Sequence, residues 1–255
     1  MIAVRRRTTR RLVGGIAGLL LLCATLSGCS NGETRLTVFA AASLTETFTS
    51  LEKSFEKDHA GVDVQISFGS SSALAEQITA GSKADVIATA DGTSIGIVSD
   101  KGELDGAPKQ FATNTMVIAT PPDNPGNISS LADLQGADFV VCDPSVPCGA
   151  AAALILQNAT ITTQPKSLEQ DVKAVLTKVT LSEADAGIVY VTDAQAAGND
   201  VSTVDIAADV NVVNPYFIGV VKGSSQTDLA QKWVQLVESQ AGQGVLTAAG
   251  FGAAP

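Results

Sequence analysis

Ser43, in the segment FAAASL, and Ser71, in FGSSSAL, each follow a short apolar stretch and open a run of helical spacing. A serine at such a turn can attack a substrate, cap its helix, or donate a hydrogen bond to a ligand. Attack needs a neighbouring base, and the chain has one histidine, His59, in EKDHAG, far along the sequence from both turns. No G-x-S-x-G elbow occurs, so an exported serine hydrolase is the weakest of the readings. Cys142 and Cys148 enclose CDPSVPC, where a phosphate-cradling Cys-x5-Arg loop would need arginine at position 148. No His, Cys or Asp cluster has metal-ligand spacing. The sequence predicts no catalytic residue and no directly coordinated metal; what remains is capping or non-covalent binding.

The elements around these turns alternate regularly. LTVFA from Leu36, DVQISFG from Asp63 and DVIATAD from Asp85 read as strands, as do TMVIAT at Thr115–Thr120, DFVVC, AGIVY, VSTVDI and YFIGVV. Between them Leu44, Phe48, Leu51 and Phe55 recur at helical spacing. So do Leu168, Val172, Val175, Leu176 and Val179, and finally Leu229, Trp233, Leu236 and Val237. Alternating strands and helices predict an α/β fold with largely parallel sheets. Two further helix starts, PCGAAA at Cys148 and EQDVKAVL at Val172, then fall just past strand ends like the two serines. Helix starts carry unpaired backbone N–H groups and partial positive charge. Several meeting in one cleft would hold an anion without a basic residue. Taken alone, each serine reads more readily as a helix cap than as a ligand donor.

The amino terminus sets the compartment. RRRTTRR at 5–11, an apolar run from Leu12 to Leu26 and the end LSGC at Cys29 predict a secretory signal over 1–28. The apolar run is short for a membrane span. LSGC also reads as a lipobox, with Cys29 the lipid-bearing first residue and 29–33 a tether to the membrane. Removing 1–28 takes away five of the 16 basic residues and none of the 26 acidic ones, so the net charge goes from −10 to −15. That excludes a basic stripe for nucleic acid. In an exported setting, Cys142 and Cys148 are expected to form a disulfide that fixes the local shape of their short loop.

Taken in order, LTVFAAASLTETF, FGSSSAL, ADVIATAD, DPSVPCG, the DV before an apolar helix and GIVYVTDA resemble the periplasmic molybdate-binding proteins that feed ATP-driven molybdate importers. The resemblance spans essentially the whole mature chain. It implies a two-lobed periplasmic-binding-protein fold of type II. Each lobe would be a mostly parallel sheet flanked by helices, joined by a two-segment hinge near Asn114 and Asn214. Lobe 1 is expected from 34–112 plus 215–255, and lobe 2 from 113–214. It further implies hydroxyl donors at Ser43, Ser71 and Tyr190, and backbone N–H donors at Cys148 and Val172. Cys148 departs from the small non-thiol residue expected there. Asp143, in the same loop, is expected to face away or cap the loop.

The implied ligand is molybdate or tungstate, with no cofactor. The partners are an ABC permease and, through Cys29, the outer face of the cell membrane; the chain itself would be a monomer. The ligand suits the donors: molybdate is fully ionised at neutral pH and brings no proton, so a donor-only site accepts it. Hydrogen bonds to an ionised group contribute roughly 1.5–3 kcal/mol each. Another tetrahedral oxyanion, sulfate or phosphate, is the alternative on the same fold.

Overall fold

The computed structural model describes residues 33–255. The signal over 1–28, Cys29 and the tether up to residue 32 lie outside the described residues. Among those described, no helix is long and apolar enough to cross a membrane.

The chain first lays down β1 (Thr34–Ala41), α1 (Thr45–Asp58), β2 (Val62–Gly69), α2 (Ser71–Thr79), β3 (Val86–Thr89), α3 (Gly92–Asp100) and β4 (Lys109–Asn114). It then builds β5 (Met116–Thr120), β6 (Phe139–Cys142), α4 (Pro147–Asn158), β7 (Ser167–Glu169), α5 (Val172–Thr180), β8 (Ala186–Tyr190), α6 (Val191–Ala197) and β9 (Ser202–Asp205). It finishes with β10 (Asn214–Val220), α7 (Thr227–Glu238), α8 (Gln240–Ala248) and β11 (Gly252–Ala253). A six-stranded sheet runs β11-β4-β10-β3-β1-β2, and a five-stranded sheet runs β7-β6-β8-β5-β9.

Both sheets are mixed, where the sequence predicted mostly parallel ones. Parallel pairing holds for β2-β1-β3 and for β7-β6-β8. The remaining pairs are antiparallel. The cause lies at the crossings between sheets. β4 leaves the first sheet at Asn114, and β10 re-enters it opposite that residue at Asn214, so the two must run in opposite directions. β5 likewise starts at Met116 opposite the end of β8 at Tyr190.

Side-chain alternation on β1 divides the core of the first sheet. Leu36, Val38 and Ala40 face a core that includes Phe48, Phe55 and Trp233, while Phe39 faces Leu74, Ile78 and Ile95. On α1 the buried residues Thr47, Phe48, Leu51 and Phe55 form one stripe, and Trp233 packs edge-on to both phenylalanines at 5.6 and 5.5 Å. Burying each such ring contributes on the order of 1.5–3 kcal/mol. In the second sheet α5 lies close over β8, because a Cβ at Gly187 would come within 2.7 Å of Val175. Leu168, predicted on the helix, lies instead on edge strand β7 and is half exposed.

Parallel register then places the site. β1 and β2 end side by side at Ala41 and Gly69, with β3 beside them. β6 and β7 end together at Cys142 and Glu169, next to the end of β8. The turns leaving these carboxyl ends, where open α/β sheets take their ligands, carry Ser43, Ser71, Cys148 and Val172, and Tyr190 is the last residue of β8.

Candidate functional site

Ser43, Ser71, Cys148, Val172 and Tyr190 line one small cavity of about 20 Å³, together with Ser70 and Asp171. Ser43 and Ser71 come from the first sheet's turns, the other three predicted residues from the second sheet's. A space this small suits a compact ion better than a sugar, a peptide or a nucleotide. A larger groove of about 610 Å³ opens beside it, but Ser43, Cys148, Val172 and Tyr190 are not on its walls.

Neither predicted serine caps a helix. Ser43 lies in a 3-10 turn, Ala42–Leu44, ahead of α1, and its Oγ is 2.7 Å from the Tyr216 hydroxyl. Ser71 is the first residue of α2, and its Oγ accepts the Ala90 N–H at 3.0 Å. Ser70, which the sequence reading passed over, holds the N-cap position of α2 without capping it. Its hydroxyl is buried with no hydrogen-bond partner among the described residues. Three serines in a row give no local signal for choosing among them, and only the packing separates their roles. Ser72 turns away and donates to the Ser145 carbonyl at 2.9 Å, linking the α2 turn to the disulfide loop.

Cys148 and Val172 reach the cavity at the starts of α4 and α5. Their N–H groups come too early in each helix to have an acceptor one turn back. Cys148 is joined to Cys142 by the expected disulfide, so the start of α4 is tied to the end of β6. The loop folds so tightly that a Cβ at Gly149 would sit 1.8 Å from the Asp143 carbonyl oxygen; only glycine fits. Asp143 accepts from the N–H and Oγ of Ser145, which hold its carboxyl below the usual range. It caps the loop and lies outside the cavity lining. Asp171 was not predicted as a lining residue; its Oδ1 caps α5 by accepting from Ala174 N–H. No lysine or arginine lines the cavity among the described residues.

Tyr190 is fully buried and its hydroxyl accepts from Asn214 Nδ2 at 3.1 Å. Burial, with Tyr216 beside it, raises its pKa well above the ordinary phenol value. Tyr216 is raised too, chiefly by burial, so both hydroxyls keep their protons at neutral pH. Behind this wall Lys173 Nζ lies 2.8 Å from Glu46 on α1 and 2.9 Å from Asp193 on α6. The Asp193 contact is a close ion pair without hydrogen-bond alignment, and Oδ2 has no partner among the described residues. Burial outweighs the lysine and raises the Asp193 carboxyl to about 6. His59 caps the far end of α1 with its ring stacked on Phe55. Fourteen residues of helix, about 20 Å, separate it from Ser43, so it cannot act as that serine's base.

The family model for bacterial extracellular solute-binding proteins matches residues 36–252. The chain is 44% identical over 227 residues to the molybdate-binding protein ModA of Mycobacterium tuberculosis H37Rv, covering 88% of this chain and 87% of that protein. Its fold is similar to that of the Azotobacter vinelandii periplasmic molybdate-binding protein, with TM-score 0.78, 20% identity and coverage of 86% and 100%. It is as similar to the M. tuberculosis sulfate-binding protein SubI, with TM-score 0.77, 17% identity and coverage of 86% of each chain. The backbone alone therefore does not distinguish the two anions.

Proposed function

The chain belongs to the bacterial extracellular solute-binding protein family, and on that premise we propose that it captures molybdate, and with it tungstate, for an ABC permease. The 44% identity to a molybdate-binding protein supports molybdate over sulfate. The observation that carries the reading is a surplus of donors. Among the described residues, Ser70 offers a buried hydroxyl without a partner, the starts of α4 and α5 offer backbone N–H groups, and no basic side chain is in the lining. An ionised oxyanion can accept from all of them without a titrating cation.

The binding residues would be Ser43, Ser71 and Tyr190 through hydroxyls and Cys148 and Val172 through N–H groups, with Ser70 added. The protein would act by binding alone, without a catalytic step or a cofactor. Its two bodies, 34–112 with 215–255 and 113–214, would close on the anion about the crossings at Asn114 and Asn214, presenting a closed surface to the permease. The signal over 1–28 would be removed and Cys29 lipidated, leaving a monomer anchored outside the cell membrane. Calorimetric titration with molybdate, tungstate, sulfate and phosphate tests the ligand. Molybdate and tungstate are expected to bind far more tightly than the other two, and tighter binding of sulfate would replace this reading with a sulfate receptor.

A further inference from the structure

Asn114 and Asn214 stand directly opposite each other where β4 leaves the first sheet and β10 returns. Each carboxamide has one end fixed by the backbone. Asn214 Nδ2 lies 3.3 Å from the Ala90 carbonyl, which can only accept, so the nitrogen end must point that way. The same nitrogen then donates to the Tyr190 hydroxyl at 3.1 Å. With that oxygen accepting, the Tyr190 proton is free for an acceptor in the cavity that Tyr190 lines, the Tyr216 hydroxyl beside it being the other acceptor within reach.

The second chain of bonds runs the same way. Asn114 Oδ1 accepts the Thr115 N–H at 3.0 Å, which turns Nδ2 toward Thr192 Oγ1 at 2.8 Å and the Tyr216 hydroxyl at 3.4 Å. Tyr216 accepts there and sends its own proton to Ser43 Oγ, 2.7 Å away. Ser43 in turn has only its proton left to offer the cavity.

We propose that Asn114, Asn214 and Tyr216 are positioning residues that set Ser43 and Tyr190 as donors, so that the cavity takes an oxyanion carrying no proton and disfavours one that must donate. This rests on the oxyanion reading above. None of the three residues is in the cavity lining; they act through the hydroxyls that are.

Two double-mutant cycles test it by calorimetric titration with molybdate, or with sulfate should the wild type prefer it. Tyr216→Phe keeps the ring packing against Phe251 and Phe111 and removes only the hydroxyl. It is expected to weaken binding about tenfold in the wild-type background and not at all beside Ser43→Ala. Asn214→Ala is expected to weaken binding beside wild-type Tyr190 and not beside Tyr190→Phe. Equal losses in both backgrounds would overturn the inference while leaving the ligand assignment intact, whereas a wild type preferring sulfate sinks the molybdate assignment alone. Proton NMR without any oxyanion gives a ligand-independent check. The Tyr216 hydroxyl proton should exchange slowly and lose that protection in Ser43→Ala; a proton indifferent to Ser43→Ala would also overturn it.

Discussion

The ammonium of Lys173, one residue past the Val172 N–H, is clasped by both carboxylate oxygens of Glu46 at 2.8 and 2.9 Å. This bond joins α5, at one wall of the cavity, to α1, which follows the turn carrying Ser43 at the other. Lys173 is only a quarter exposed, Glu46 about half, so the pair is partly screened and contributes no more than about 1 kcal/mol.

Glu46→Gln should therefore speed release of the bound anion by a few-fold while leaving its capture rate nearly unchanged. Stopped-flow dissociation at low and high salt checks this. The wild type should approach the variant as salt rises, and identical release rates at low salt would show that the pair does not hold the walls together.

The three cavity serines should separate in a pairing of stability and affinity. Ser71→Ala removes the acceptor of the buried Ala90 N–H, so it should lower ligand-free stability by about 1–3 kcal/mol and weaken binding as well. Ser70→Ala removes a hydroxyl with no partner among the described residues, so stability should hold or rise while affinity falls. Ser43→Ala should weaken binding by about 1.5–3 kcal/mol. Thermal melts beside titrations measure both quantities. Unchanged affinity in all three would return these serines to a structural role.

Opening the Cys142–Cys148 bond should reach the cavity through the backbone of Cys148. Chain-entropy reasoning gives about 2 kcal/mol of stability for so short a loop. Replacing both cysteines by serine should cost roughly that much and also weaken binding, since the start of α4 is no longer tied to β6. Gly149→Ala should be more damaging than either, because its Cβ would meet the Asp143 carbonyl at 1.8 Å. Denaturant melts and titrations of these variants, against wild type with and without reductant, decide it.

Asp193 carries a pH signature. Its carboxyl is raised from 3.8 to about 6 in the folded chain, burial outweighing Lys173. A raised value means that the folded state holds the proton more tightly than the unfolded one. The stability this residue contributes is thus full below about pH 3.8 and is lost as pH rises through 6. Relative to Asp193→Asn, the wild type should lose a few kcal/mol of unfolding free energy as pH rises over that window. A difference that stays constant from pH 4 to 7 would place the titration elsewhere.

Much of this arrangement is legible in the residues. The period-2 and helical spacings give most strands and helices, and the turns at Ser43, Ser71, Cys148 and Val172 fall where strand ends meet helix starts. Strand direction is not legible: β10 runs against β3 and β4 because of where the chain crosses back, which no local window contains. β4, with its weakly patterned KQFATN, and the terminal pair α8 and β11 escape the reading for a similar reason. Their order comes from partners distant in sequence, such as Phe111 on Tyr216 and Gly252 on Thr113. Tyr216 looks in sequence like any buried strand aromatic; only the 2.7 Å approach to Ser43 gives its hydroxyl a role.

The position of β10 also bears on how the chain comes to be folded. It lies between β3 and β4, pairing Val220 with Val86 and Asn214 with Asn114, so two strands that emerge early stay apart until a third arrives about a hundred residues later. The five-stranded sheet is drawn from one continuous stretch and can condense as soon as that stretch is free. The six-stranded sheet must instead wait for the last part of the chain and bear the loop-closure entropy of recruiting it. The wall carrying Ser43 and Ser71 therefore belongs to a sheet that is complete only once β10 has paired with both β3 and β4.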